Sequence, residues 1–349
     1  MKVLVTGGAG FIGSHIVDAL VAAGIDVLVI DNFHSRANSA ERKVHVNPRA
    51  TLVRADVNDP VALIEVVKGV DAVCHQASKV GMGVDYGDSV AYVEDNSLGT
   101  AHLLHALWTT GFAGRLILAS SMVVYGEGAY LCDSHGDVRP LPRDPDQLRR
   151  GAFEPTCPHC NQELYATEIT ESAITDPRNV YAVTKLNQEH LCSVFARETS
   201  VPVTVLRYHN VYGDRMPRNT PYAGVMSLFK SAIGMREAPE VFEDGAQIRD
   251  FVHVTDVARA NVAVITRPEP IQGTFNISSG SPMTVGDVAR ELSAVMGGPE
   301  PFVSGRFRLG DVRHIFASPN LASKVFGYEP KISLRKGIRE FALLGKQLS

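Results

Sequence analysis

The chain has 349 residues, 45% of them hydrophobic, which is ample for a large core and favours two lobes over one. A net charge of −4 and a pI near 6.3 give no global basic field, so nucleic acid is not an expected partner. The N-terminus reads as a strand rather than a signal peptide, no apolar run reaches membrane-spanning length, and five cysteines, an odd number at low density, fit a reducing cytoplasm.

Lys2 to Thr6 (KVLVT) is a short apolar run of the kind buried on both faces of a parallel sheet. Gly7-Gly8-Ala9-Gly10-Phe11-Ile12-Gly13 follows, then a helix from Ser14 to Ala23 with apolar residues at helical spacing, a stop at Gly24, and a second buried strand, Asp26 to Ile30, ending on Asp31. A pyrophosphate needs helix N-terminal amides within hydrogen-bond reach, and a Cβ there would hold it off. The acid closing the second strand, eighteen residues beyond Gly13, can accept from adenosine ribose hydroxyls. The unit predicts a dinucleotide site. Asp31 would repel a 2′-phosphate, so NAD is expected over NADP, with Arg36 the nearby counterweight.

Ala50 to Val57 predicts a third strand, Val61 to Lys68 a helix, and Asp71 to His75 a fourth strand, with Gln76-Ala77-Ser78-Lys79 at its carboxyl end, where ligands sit in open α/β sheets. Ser89 to Trp108 predicts a long helix carrying Asn96, and Arg115 to Ala119 a fifth strand running into Ser120-Ser121-Met122-Val123-Val124-Tyr125-Gly126. Strands alternating with helices predict a doubly wound parallel sheet of the Rossmann type. From Glu127 to Asp176 the alternation breaks into Pro, Arg, Asp and Gly with few large apolar residues. Such a stretch is either floppy or stapled. It holds Cys132-Asp-Ser-His135 and, further on, Cys157-Pro-His-Cys160, four ligands of the type and local spacing tetrahedral zinc prefers; the other reading is reduced thiols that merely fall close. His159 is the substitute should His135 point away.

Asn179 to Thr199 predicts a second long helix and Val201 to Tyr208 a sixth strand, followed by His209-Asn210-Val211-Tyr212-Gly213. Short helices and strands after it suggest a smaller lobe over the cleft mouth. The helix carries Tyr181 and Lys185, four apart and therefore on one face. A phenol is a poor base at neutral pH, but an ammonium and a cationic nicotinamide favour the phenolate. With Ser121 at a strand's carboxyl end, these make a general base, its tuner and ribose anchor, and a hydroxyl that positions the proton.

Thr6-Gly-Gly-Ala-Gly-Phe-Ile-Gly13, Asp31, S-S-x-x-V-Y-G from Ser120, Y-x-x-x-K from Tyr181, R-Y-x-N-V-Y-G from Arg207 and R-D-F-V-H-V-x-D-V from Arg249 resemble the extended short-chain dehydrogenase/reductase superfamily, in its nucleotide-sugar epimerase and dehydratase branch. The resemblance covers almost the whole chain; the Cys-bearing insertion is the main departure from the common pattern, and that insertion with its neighbouring sequence most resembles a dTDP-L-rhamnose 4-epimerase-like subgroup. It implies that Gly7, Gly10, Phe11, Ile12, Gly13, Asp31, Asn32, Asp56, Val57, Lys79, Asn96, Tyr181, Lys185 and Tyr208 contact NAD. It further implies that Ser121, Met122, Asn210, Arg249 and Arg308 contact a nucleotide-diphosphate sugar, and that the long helices pair across a two-fold axis into a homodimer. Asp256 is expected to be a structural acid or helix cap, with Thr255 competing.

Sugar dehydratases of this superfamily typically carry an Asp-Glu pair after the Ser/Thr, and decarboxylases a Glu. Here Met122 and Val123 stand there, and neither transfers a proton. The expected activity is therefore a 4-epimerase acting through a transient 4-keto sugar on a dTDP- or UDP-hexose; a 4-reductase or dehydrogenase, a dehydratase or decarboxylase, and a non-catalytic dinucleotide-binding regulator are the rivals. The expected organisation is a Rossmann domain from 1–126 and 177–213, an insertion at 127–176, and a mixed α/β substrate lobe mainly within 214–349, some of which returns to the sheet.

Overall fold

Val3, Leu4 and Val5 are all fully buried, the valines in the apolar cluster on one face of a sheet and the leucine in the cluster on the other. Burial on both faces is why this strand and Asp26–Asp31 are continuous apolar runs rather than alternating ones. The computed structural model describes residues 1–34, 44–81, 86–217 and 224–344; Arg36 lies outside the described residues.

Strands β1 (Lys2–Thr6), β2 (Asp26–Asp31), β3 (Thr51–Arg54), β4 (Ala72–His75) and β5 (Arg115–Ser121) join Val203–Tyr208 and Gly273–Ile277 in one seven-stranded sheet. The spatial order is Gly273–Ile277, Val203–Tyr208, β5, β4, β1, β2, β3, and every pairing is parallel. The expected doubly wound α/β sheet is thus observed. Strand order reverses between β1 and β4, which opens a crevice beyond their carboxyl ends.

Helix α1 (Phe11–Ala22) and helix Val254–Thr266 cover one face through Ile16, Leu20, Val257 and Val264. Helix α2 (Pro60–Val66), helix Gly99–Thr109 and helix Val180–Thr199 cover the other through Leu63, Leu103, Leu107 and Phe195. Each fully buried leucine of this set contributes roughly 1.5–3 kcal/mol. Helix ends are set by short polar side chains: Asp59 accepts from the Val61 and Ala62 amides at 3.0 and 3.1 Å, and Asn179 from the Ala182 amide at 2.9 Å.

Two expectations change in detail and a third is made specific. The helix expected from Ser89 to Trp108 is continuous in direction but not in type: Ser89–Tyr92 is α-helical, Val93–Leu98 is a π-helical turn, and Gly99–Thr109 is α-helical again. The widened turn carries Asn96, whose buried amide binds the 78–79 loop and Thr184. Second, the cap before helix Val254–Thr266 is neither Asp256 nor Thr255 but His253. Asp256 is fully buried and accepts from the Lys331 and Ile332 amides at 3.1 Å each, anchoring the approach to helix Leu334–Leu343. Third, helix Val254–Thr266 and strand Gly273–Ile277, although beyond residue 213, belong to the main sheet and its cover. Ala322, Phe326 and Tyr328 also pack into the core of the main sheet, while Phe229, Leu292, Ile338 and Phe341 form a separate cluster.

Residues 127–176 carry a small sheet of their own. Ala129–Cys132 lies between Gly136–Val138 and Tyr165–Thr167 in a three-stranded antiparallel sheet. Beneath it lies a small cluster of Tyr130, Cys132, Cys157 and Leu164.

Candidate active site

The glycine turn after β1 is shaped by close backbone approach. Gly7 has φ +67°, and a Cβ on it would stand 2.8 Å from the Ala77 backbone at the end of β4. A Cβ on Gly13 would collide with the Gly7 carbonyl oxygen. Helix α1 starts at Gly10 with no side-chain cap, and Gly10 to Gly13 face a cleft of about 440 Å³. Uncapped amides and a helix dipole at a cradle that side chains would fill suit a phosphate.

The cleft gathers most of the residues read from the sequence. Gly7, Gly10, Phe11, Ile12, Gly13, Asp31, Asn32, Asp56, Val57 and Lys79 line one part of it; Ser121, Met122, Tyr181, Lys185, Tyr208 and Asn210 line the other. Asp31 is held by the Ala9 and Phe33 amides at 3.0 and 2.8 Å, which aims its carboxylate at the site a ribose would take. Asn32 donates to Asp56 at 2.7 Å, joining the ends of β2 and β3. The set therefore fits an adenine dinucleotide: a phosphate cradle, an acid one strand away, and a volume in the ordinary range for small-molecule sites.

Some of these residues act from behind. Asn96 is fully buried and holds the Lys79 amide at 2.7 Å and the Thr184 hydroxyl at 2.9 Å, so it shapes the loop rather than the cleft surface. The Tyr208 hydroxyl is engaged by Gln76 and Asn261, leaving its ring as wall. Arg249 and Arg308 lie outside the cleft lining. The Arg249 guanidinium donates to the carbonyls of Ile248, Val312 and Arg313, and Arg308 is exposed over the Phe242 ring.

A buried network missed in the sequence supports the β4 end. The Thr6 hydroxyl accepts from the Gln76 and Ala77 amides, so its proton goes to His75 Nδ1 at 2.7 Å. The Thr100 hydroxyl donates to the Asn96 carbonyl, so His75 Nε2 donates to Thr100 at 2.9 Å. His75 is thus the neutral Nε2–H tautomer, and burial pushes its pKa down to about 3.

On helix Val180–Thr199, Tyr181 and Lys185 face β5. Burial raises the Tyr181 pKa to about 12, and the nearby Ser121 side chain works against that rise. Lys185 Nζ donates to the Ala119 carbonyl at 2.9 Å, and burial lowers its pKa to about 7 with Glu189 opposing. Glu189 was not singled out in the sequence, although it stands a further helical turn along the same face as Tyr181 and Lys185. It forms a buried two-pronged pair with Arg207 at 2.9 and 2.7 Å and accepts from Ser120. A phenol, a hydroxyl and an ammonium at one end of a dinucleotide-sized cleft can move a proton to and from a substrate hydroxyl.

In the insertion, Cys132, His135, Cys157 and Cys160 converge with all four ligand atoms within 4.8 Å of one another. Cys132 Sγ lies 3.5 Å from His135 Nδ1 and 3.6 Å from Cys160 Sγ, and Cys157 Sγ lies 3.6 Å from His135 Nδ1. His135 points in, so His159 is not needed.

The model of the NAD-dependent epimerase/dehydratase family matches residues 3–278. A dTDP-L-rhamnose 4-epimerase of Burkholderia thailandensis is 35% identical over 343 residues, covering 97% of this chain and 93% of the relative. A UDP-N-acetyl-alpha-D-glucosaminuronate decarboxylase of Bacillus cytotoxicus is 30% identical over 83% of this chain and 79% of its own. The structure of UDP-glucuronic acid 4-epimerase from Bacillus cereus, in complex with UDP-glucuronic acid and NAD, superposes with a TM-score of 0.79 at 26% identity, over 100% of both chains. With the family model matching residues 3–278 and a relative 35% identical over 97% of this chain's length, the chain belongs to the NAD-dependent epimerase/dehydratase family.

Proposed function

We propose that this protein is an NAD-dependent nucleotide-sugar 4-epimerase acting on a dTDP- or UDP-hexose. The observation that carries the reading is the Ser121–Tyr181–Lys185 set at the end of the dinucleotide cleft, with Met122 and Val123 where an elimination or decarboxylation would need a further acid or base. Bound in the cleft, NAD would take the C4 hydride and return it to the other face of the 4-keto sugar. Tyr181 takes the C4 hydroxyl proton and gives it back; Ser121 holds that hydroxyl in line; Lys185 stabilises the phenolate and anchors the nicotinamide ribose. Asp31 takes the adenosine ribose and Gly7 to Gly13 the pyrophosphate. Asn210, on the cleft wall, would meet the nucleotide diphosphate, and Arg249 and Arg308, which lie beyond that wall, would reach it from outside the cleft, arginine forks being suited donors.

On this reading the protein is a cytoplasmic homodimer with unbridged cysteines. Its dimer face is the helix pair on which Val90, Val93, Trp108, Val183 and Val194 are exposed. One structural zinc sits among Cys132, His135, Cys157 and Cys160. Zn–S bonds of about 2.3 Å and Zn–N bonds of about 2.0–2.1 Å put tetrahedral ligands about 3.5–3.8 Å apart, which agrees with the 3.5 and 3.6 Å separations here.

The deciding experiment incubates the purified protein with UDP- and dTDP-hexoses and reads C4 inversion by proton NMR while following the nicotinamide absorbance. Inversion with no net absorbance change is expected. Stoichiometric growth or loss of the reduced band would replace the epimerase by a dehydrogenase or reductase.

A further inference from the structure

Resting on the zinc reading above, we propose that the metal in the insertion governs affinity for the nucleotide diphosphate, by ordering the residues that hold Arg249 in place. Arg313 is fully buried, and its guanidinium donates to Glu154, to Glu243 at 2.8 Å and to Asp244 at 2.7 and 2.8 Å. Its backbone amide donates to both carboxylate oxygens of Glu127 at 3.0 Å. His314 bonds Glu154 at 2.8 Å, and its amide donates to the Tyr130 hydroxyl at 3.2 Å. Arg143 pairs with Glu243 at 2.9 Å and donates to the Asp311 carbonyl at 2.7 Å. Glu127, Tyr130, Arg143 and Glu154 all come from the insertion, so it supplies much of what grips residues 311–314.

That gripped segment positions the arginine. Arg249 donates to the Arg313 carbonyl at 2.9 Å and to the Val312 carbonyl at 2.6 Å, and strand Ile248–Arg249 pairs with His314–Ile315. Three of its five N–H donors are thereby spent on orientation, which fixes the guanidinium and leaves two donors for an anion.

The small cluster beneath the insertion's sheet is Tyr130, Leu164 and two of the metal-ligating cysteines themselves; its other buried apolar side chains, Leu148, Phe153 and Ile169, lie outside that cluster, so little apolar burial holds the sheet itself. Removing the ion takes away a link between Cys132–His135, at the end of the strand that carries Tyr130, and Cys157–Cys160, which begins three residues beyond Glu154. With Glu154 released, a buried Arg313 loses part of its counter-charge and the 311–314 segment loosens. The dinucleotide cradle on β1 and β2 shares none of these groups.

The test uses full-length protein purified without chelator. Metal analysis should give about one zinc per chain. Calorimetric titration with UDP and with dTDP is then compared for native protein, chelated protein, chelated protein with zinc restored, Cys160→Ser and Glu154→Gln, with NAD titrated in parallel. Zinc loss should weaken nucleotide diphosphate binding on the order of tenfold or more, leave NAD binding within about a factor of two, and be reversed by zinc. Glu154→Gln should keep its zinc and its NAD affinity and show the same nucleotide loss, a result that general unfolding of the insertion does not produce; it also keeps the test decisive if Cys160→Ser fails to fold. Hydrogen exchange should rise at 311–315 in each weakened form. Nucleotide affinity indifferent to both zinc and Glu154 overturns the coupling and leaves the zinc reading standing. Zinc-free protein with this segment ordered overturns both. Native protein that binds neither nucleotide overturns the nucleotide-sugar reading itself.

Discussion

Lys185 donates its ammonium to the backbone carbonyl of Ala119 at 2.9 Å, tying the helix that carries Tyr181 to the strand that ends on Ser121. The Ser120 hydroxyl, donating to Glu189 on the same helix, makes a second tie. Tyr181→Phe keeps the ring that packs beside Tyr92 and removes only the hydroxyl. Turnover should fall by about 10²–10⁴-fold or more with NAD content unchanged. Steady-state rates and nucleotide content of the purified variant check this, and near-native turnover would remove Tyr181 from the proton-transfer role.

Cofactor choice follows from Asp31, whose carboxylate is already locked by the Ala9 and Phe33 amides and cannot swing away from a 2′-phosphate. The protein should release NAD rather than NADP on denaturation, as read by mass spectrometry. Asp31→Ala should weaken NAD binding by about tenfold, the worth of a charge-assisted bond of 1.5–3 kcal/mol at its lower end. NADP as the main released species would refute the assignment.

The pair of Glu189 and Arg207 is under a tenth exposed on both sides. Glu189→Gln leaves a buried guanidinium without its counter-charge and the Ser120 hydroxyl with a weaker partner. Loss of about 3–5 kcal/mol of unfolding free energy is expected, measured by denaturant titration. A loss below 1 kcal/mol would show that the pair is dispensable.

Acid sensitivity follows from the buried histidines. His75 is held at about 3, and His15 and His209 at about 4, all by burial. These folded values lie below the unfolded 6.5, so between them the unfolded chain binds more protons and stability falls as pH falls. Each group costs on the order of 1 kcal/mol per pH unit below 6.5 until its folded pKa is reached. Asp250, raised to about 6 by burial, opposes this between pH 6 and 3.8. Unfolding free energy should therefore drop from pH 6.5 to 5, and His75→Gln should flatten that slope; an unchanged slope would mean His75 is charged in the folded protein.

Trp108 is 65% and Val194 42% exposed, and both line an open groove between the two long helices with Leu104 and Leu191. Covering this face in a homodimer is expected, and Val194→Asp should shift the mass seen by light scattering from dimer to monomer at micromolar concentration. A native protein already monomeric there would count against the assembly.

How much of this was legible in the sequence depends on range. β1 and the acid ending β2 are local: burial on both faces demands unbroken apolar runs, and the Gly7–Gly13 turn demands residues without a Cβ, so both features are written in adjacent letters. Tyr181 and Lys185 follow from helical period alone. The metal cluster was readable as two local spacings expected to share one ion; how the chain brings them together was not, because that depends on Ala129–Cys132 lying between Gly136–Val138 and Tyr165–Thr167. Strand Gly273–Ile277 as the sheet edge, the π-helical turn that aims Asn96 and the Thr6–His75–Thr100 relay join residues that are distant in sequence or depart from a regular period. The grip of Glu127 and Glu154 on Arg313 spans 186 and 159 residues. An isolated arginine in a sequence reads as surface; only the packed chain, which takes the guanidinium out of water, brings the carboxylates it must then have.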